Sequence, residues 1–331
     1  MIRIAVDAMG GDHAPSSIID GALAAARHLD LGLDLAGPAD VIRAELARHP
    51  DAGHLSIRIL DAPDVVGMTE SPTAALRRKS RASIRVAAES VASGSAAALV
   101  SAGHTGATVM AAHGAFGMLP GVDRPALAAT IPSGDRLGIL LDVGANVECR
   151  SQHLLQFAAM GAVYAKVSFG VKHPRIGLLS IGEEEGKGNE LIRDAHRLLK
   201  ASTLNFIGNV EAREVYKGNA DVIVCDGFTG NIALKASEGL VDTVERLLEE
   251  ELNRTFSGMV GSLLSRRAFR RFRRRLDYSD YGGAPLLGVA GVCIVGHGRS
   301  SAKAVRNAVA MAHRFATAGF LQRVEHEIAA A

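Results

Sequence analysis

The stretch PRIGLLSIGEEEGKGNELIRDAHRLLKAS, Pro174 to Ser202, reads as a strand, a glycine-rich turn and a helix. PRIGLLSI, Pro174 to Ile181, is an apolar run of strand length, and NELIRDAHRLLKAS, Asn189 to Ser202, has apolar residues at helical spacing. Between them GEEEGKGNE sets three carboxylates against one lysine, with glycines on either side. Such a turn suits an anion, because the first N–H groups of a helix lack internal partners and carry the positive end of its dipole. It is not a Walker A loop: Gly182 and Gly186 enclose three residues rather than four, and Gly188 follows Lys187 where a magnesium-binding hydroxyl would stand. Taken alone, the stretch also fits a surface loop carrying a solvated charge run.

Working outward, the same unit recurs along the chain. IRIAVD leads through GGDHAP into SSIIDGALAAARHL, SAAALVSAGHTG into a helix from near Ala107, and LGILLDVGAN into SQHLLQFAAMGAVYAKV. ADVIVCDGFTGN opens into IALKASEGLVDTVERLLEEEL, and VAGVCIVGHGRS into a long helix from about Ser301. Strands alternating with helices predict an α/β fold with a largely parallel sheet. Each strand ends in a turn containing glycine: Gly10 and Gly11, Gly103 with Gly106, Gly144, Gly182 to Gly188, Gly227 with Gly230, and Gly296 with Gly298. In open α/β sheets such carboxyl-end turns meet at the ligand crevice, so these are expected to share one site.

Composition agrees. The chain has 331 residues, 48% of them hydrophobic, yet no tryptophan and only 4% aromatics, so its core is built from Ala, Val, Leu and Ile. No linker or repeat divides it, and a single domain over 1–331 is expected. No apolar run reaches the roughly 18 residues of a membrane span, and MIRIAVDAMGG lacks the features of a signal peptide, which predicts a cytoplasmic protein. Cys149, Cys225 and Cys293 are too scattered for a metal site or disulfides, and Cys225 and Cys293 fall in strand-like runs where burial is expected.

Between about Ser237 and Asp280 the pattern becomes purely helical, which predicts a protruding helical insertion over 237–280. Leu240, Val241, Val244, Leu247, Leu248 and Leu252 form one apolar stripe; Phe256, Met259, Val260, Leu263 and Leu264 form a second. RRAFRRFRRR, Arg266 to Arg275, then concentrates seven arginines in a chain whose net charge is only +2, which argues for one local partner and against a general nucleic-acid surface. A straight helix would point Phe269 and Phe272 away from the second stripe, so a break near Ser265 is expected.

The turns supply donors: backbone N–H groups, Thr105, Asn146, Asn189, Thr229, Asn231, His13, His104, His297 and Lys187. A donor-rich site binds an anion or steadies a developing oxyanion, and no dinucleotide fingerprint, hydrolase elbow or metal cage competes with that reading.

VDAMGGDHAP, LVSAGHTGA, LDVGANVE, GEEEGKGNEL, CDGFTGNIALK and YGGAPLLGV stand in the order found in the phosphate acyltransferases of bacterial phospholipid synthesis, and the chain resembles that family from Met1 to about Asn307. The resemblance implies conversion of acyl-acyl-carrier-protein and inorganic phosphate to acyl-phosphate by a homodimer without metal or nucleotide cofactor. It also implies a three-layer α/β/α fold similar to isopropylmalate dehydrogenases and phosphate acetyltransferases. A phosphate acetyltransferase-like enzyme using short acyl-CoA, and a non-catalytic membrane-associated scaffold, are the alternatives.

On this reading Lys187 supplies the charge for phosphate and Asn231 a neutral catalytic donor, with Glu183 to Glu185 orienting the lysine or capping the helix. Gly10, Gly11, His13, Gly103, His104, Thr105, Gly106, Asn146, Gly186, Gly188, Asn189 and Gly230 are expected to surround phosphate and substrate. Plainer roles compete: a helix cap for His13, a turn anchor for Asp226, and an ordinary helix lysine or a secondary phosphate contact for Lys235. His104 and Ala290 stand where the family pattern has asparagine; an imidazole still donates, but it titrates near neutral pH. Leu263, Leu264, Arg266, Arg267, Phe269, Arg270, Arg271, Phe272, Arg273, Arg274 and Arg275 are expected to touch an anionic membrane surface peripherally, with acidic carrier protein as the competing partner.

Overall fold

Apolar strand residues alternate between two cores in the computed structural model, which describes residues 1–269 and 282–330. The strands are β1 (Ile2–Asp7), β2 (Leu31–Gly37), β3 (Ile57–Asp61), β4 (Ala98–Ser101), β5 (Ala126–Ser133), β6 (Arg136–Leu141), β7 (Ile176–Ser180), β8 (Phe206–Glu211), β9 (Val222–Val224), β10 (Ala284–Leu287) and β11 (Val292–Val295). The helices are α1 (Ser16–Ala26), α2 (Ala39–Leu46), α3 (Pro72–Arg78), α4 (Ser83–Ala92), α5 (Thr105–Phe116), α6 (Ser151–Phe169), α7 (Glu190–Ala201), α8 (Gly227–Asn253), α9 (Phe256–Leu264), α10 (Ala302–Thr317) and α11 (Phe320–Ala330).

Ile4, Val6, Val100, Ile139, Leu141, Leu178, Val222 and Val224 face one core, covered by α1, α2, α6, α7, α10 and α11. Their neighbours Ala5, Leu99, Leu140, Leu179 and Ile223 face the other, covered by α3, α4, α5 and the start of α8. The period of two along each strand thus fills two layers at once, as a sheet buried on both faces requires.

All eleven strands form one sheet, in the order β3-β2-β1-β4-β11-β10-β5-β6-β9-β7-β8. Its two halves run oppositely. β10 is antiparallel to both β11 and β5, so β5 shares the direction of β11, while β6, antiparallel to β5, turns the second half around. The remaining pairings are parallel. The carboxyl-end turns therefore fall into two groups, not one. Four strand-to-strand steps separate β4 from β6, yet turns from both groups, with Gly106, Gly296 and Gly298 from one and Gly144 from the other, flank one cleft over β10 and β5.

The helical stretch expected from Ser237 is continuous with the residues before it. α8 runs unbroken for 27 residues from Gly227, roughly 40 Å, and of these only Gly227 and Gly230 are buried. Leu240, Val244, Leu247 and Leu248 lie exposed along its shaft. α9 ends at Leu264, and Ser265 bends the chain with φ −88° and ψ 4°, at the position where the aromatic spacing demands a break. Leu263 and Leu264 stand 68% and 81% exposed at this tip, with Arg266 and Arg267 exposed beside them and Phe269 partly covered. Arg270, Arg271, Phe272, Arg273, Arg274 and Arg275 lie outside the described residues.

Candidate active site

Two knots of backbone build the site. In the first, the Asp12 N–H donates to the Gly298 carbonyl at 2.8 Å, Gly10 lies against Gly103, and Gly11 lies against the carbonyls of Ala102 and Gly298. Beneath them the buried Asp7 carboxylate accepts from Ser101 Oγ at 2.8 Å, and Ser101 Oγ in turn accepts the Gly103 N–H at 3.1 Å. Burial pushes the Asp7 carboxyl up, against hydrogen bonds from Ser83 and Ser101.

In the second knot one carboxylate gathers five donors. Asp142 accepts the N–H groups of Leu127, Gly144, Ala145 and Asn146 and the Asn146 side-chain amide, all between 2.7 and 3.1 Å. The Gly227 N–H reaches the Asn146 carbonyl at 2.8 Å, which docks the start of α8 on this turn. Asp226 caps α8 by accepting the Thr229 N–H at 2.9 Å and its hydroxyl at 2.7 Å, so it does anchor a turn. Gly230 packs on the Asp142 carbonyl so tightly that any Cβ would collide with it.

Between the knots lies a cavity of about 660 Å³, within the usual range for small-molecule sites. Thr105 and Gly106 of α5 and Asn231, Leu234, Lys235 and Glu238 of α8 line it, together with Gly144 and Ala145 and with Asp12, His297 and Arg299. From Asn231 to Glu238 the α8 wall spans about 10 Å. Lys235 donates to Glu238 at 2.7 Å. The Arg299 side chain is exposed and has no partner among the described residues.

Not every expected residue arrives here. Lys187, Gly186, Gly188 and Asn189 do not line the cavity: β9 stands between β6 and β7, and Asn209 of β8 holds the turn on the far side by donating to the Glu184 carbonyl at 2.8 Å. Glu185 pairs with Lys200 at 2.8 Å and Glu183 approaches Arg213 at 3.9 Å, while the Glu184 carbonyl accepts the Lys187 N–H at 3.0 Å. Asn189 caps α7 by accepting the Ile192 N–H at 3.0 Å. His104 caps α5: its Nδ1 accepts the Gly106 N–H at 3.1 Å, an acceptor role that asparagine would also fill. His13 is exposed, and its backbone carbonyl rather than its ring takes the Ser17 N–H at 3.1 Å. Asn146 is committed to Asp142 and to the Pro125 carbonyl. Ala290 sits at an exposed turn, its N–H on the Gly117 carbonyl, and is not part of the cavity wall.

The sequence reading missed Arg299, Glu238 and Asp12. The signal for Arg299 was present in GHGRS, where an arginine follows the last glycine turn immediately before a helix. Away from the cavity, Asp20, Glu45 and His49 bring one ligand-type atom each within 4.8 Å of one another. Ion-pair approaches bring them together, since His49 Nε2 stands 2.9 Å from Asp20, and Glu45 is itself paired with Arg48 at 2.9 Å.

An apolar cleft that also presents an amide, a guanidinium and an ammonium can hold an anion beside an apolar group. The chain belongs to the phosphate acyltransferase family. The family model described as "Fatty acid synthesis protein" matches residues 2–323. The phosphate acyltransferase of Acidobacterium capsulatum is 50% identical over 327 residues, covering 99% of this chain and 97% of that protein. The one from Pelotomaculum thermopropionicum is 48% identical, covering 99% and 95%. In fold the chain is similar to a phosphotransacetylase from Streptococcus pyogenes, with TM-score 0.66 at 18% identity over 96% of this chain and 94% of that one. It is similar also to the EutD phosphotransacetylase from Staphylococcus aureus, with TM-score 0.62 at 17% identity over 95% and 94%.

Proposed function

We propose that the protein transfers a long-chain acyl group from acyl-carrier-protein thioester to inorganic phosphate, as an early step of phospholipid synthesis, in the cleft between α5 and α8. The observation that carries this reading is an apolar cavity whose lining includes Arg299, Lys235 and Asn231. Arg299 and Lys235 hold the phosphate, and Asn231 donates to the carbonyl oxygen. Phosphate is partly a dianion at neutral pH and attacks the thioester carbon without a general base. A C–O bond forms, the carbonyl pair moves onto oxygen, and on its return the C–S bond breaks; the thiolate leaves and takes a proton from solvent. Catalysis then consists of alignment and of stabilising the oxyanion.

The whole chain, 1–331, acts as one catalytic unit, with 237–280 as its contact insertion. A second copy covers the apolar α8 stripe, and the α9 tip with its arginines meets an anionic membrane surface. This contact is peripheral on the same reading; among the described residues no helix is long and apolar enough to cross a membrane. The test is phosphate-dependent release of thiol from long-chain acyl-carrier protein compared with acetyl-CoA, with acyl-phosphate as the product. Turnover with acetyl-CoA alone would favour the phosphotransacetylase reading, and phosphate-independent release would refute both.

A further inference from the structure

The cavity has far more apolar wall than the transfer of an acyl group to phosphate needs at its reacting atoms. Leu127 and Ala129 of β5 and Val143 lie along it, with Leu234 of α8 and Val109 of α5 on facing sides. The one hydroxyl on β5 that reaches it, that of Thr130, is already engaged with the Tyr164 hydroxyl at 2.6 Å and is not offered to a ligand. The charged side chains among the lining residues are Asp12, Lys235, Glu238 and Arg299, which belong to the rims and the α8 wall. The side chains of Leu127, Ala129, Val143, Val109 and Leu234 offer a ligand no hydrogen bond, whereas a bound acetyl group would leave most of this wall bare.

We infer that this interior takes the hydrocarbon chain of the acyl substrate, and that Ala129 and Leu234 set the longest chain accepted. The inference rests on the acyl-transfer reading above. Ala129 is 8% exposed on β5, and its methyl is the smallest side chain of the stretch between Leu127 and Val143 that faces the cleft. Leu234 is partly buried on the same core, from the opposite wall. Neither carries a polar group that could hold phosphate, so both act on the tail. Burial of each methylene contributes about four-fold to binding, so lost room for two methylenes lowers the preference for a long over a short chain about fifteen-fold.

The experiment measures kcat/KM over a ladder of saturated acyl-carrier-protein thioesters from C8 to C18, for the parent, Ala129→Phe and Leu234→Phe, with thermal melts as the control for folding. Each bulky variant is expected to shift the optimum to shorter chains and to lower the C16:C8 ratio about ten-fold or more, while the Michaelis constant for phosphate stays near the parent's. An unchanged ratio in a folded variant overturns the inference. Should Ala129→Phe melt early, Leu234→Phe on the half-exposed helix decides alone. A parent that makes acyl-phosphate from every chain, with variants that match it, refutes this assignment and leaves the acyl-transfer reading standing. A parent that makes none refutes both.

Discussion

A Cβ built on Gly144 would stand 2.7 Å from the Asn231 Nδ2, and Gly144 itself adopts φ +136°. The bare backbone of one turn thus sets the position of the amide that begins the opposite wall. Gly144→Ala is expected to lower kcat about 10²-fold, as Asn231→Ala does, because both remove the same donor from the oxyanion. The double variant should be no worse than either single one, since the two share one effect. Steady-state thiol release measures this, and fully additive losses would show that the residues act separately.

Asp142 holds that turn from below. With 0% exposure and five N–H donors on one carboxylate, Asp142→Ala leaves several buried donors unpaired and is expected to cost about 3 kcal/mol or more of stability. Urea unfolding checks this. A loss below about 1 kcal/mol would mean that water replaces the carboxylate at no penalty.

The cysteines should be inert in the native state. Burial pushes the Cys149 thiol up to about 11 and Cys293 to about 12, and raises Cys225 well above its ordinary value. At pH 7 all three stay protonated, and the thiol is a poor nucleophile. Mass spectrometry after iodoacetamide treatment should find none of the three alkylated in the folded protein and all three after denaturation. Rapid native labelling of Cys149 would contradict this.

The α9 tip predicts salt-sensitive vesicle binding. Each basic residue near an anionic bilayer contributes about 1 kcal/mol, so Arg266→Gln with Arg267→Gln, or Leu263→Glu, should weaken flotation with anionic vesicles while soluble turnover persists. If these variants float as well as the parent, the membrane role fails. If flotation survives and the Michaelis constant for acyl-carrier protein rises, the tip is a docking site for that protein instead.

Strand and helix periodicity made the layers legible: six strands ending in glycine turns were visible because each is apolar along its length. Strand direction was not, since nothing in ALAATIPS or APLL says that β5 and β10 run against their neighbours. The three antiparallel steps from β11 through β10 and β5 to β6 reverse the second half of the sheet and split the turns into two groups. Asn231, Thr105 and Gly106 could be placed because they sit at helix starts facing the cleft. Lys187 could not, because its turn leans toward β8 through Asn209, a contact made 25 residues away in sequence. Arg299 went unread because one arginine after a glycine turn looks like any surface charge.

The position of the phosphate is the most exposed claim of the account, and its most direct measurement is the Michaelis constant for phosphate in Arg299→Gln and Lys187→Met, with long-chain acyl-carrier protein saturating. Arg299→Gln is expected to raise it about ten-fold or more, because a cation at the cavity rim is lost, while Lys187→Met stays within about two-fold of the parent. The reverse pattern, phosphate use crippled by Lys187→Met and untouched by Arg299→Gln, would place the reaction at the Gly182–Gly188 turn and contradict the site described.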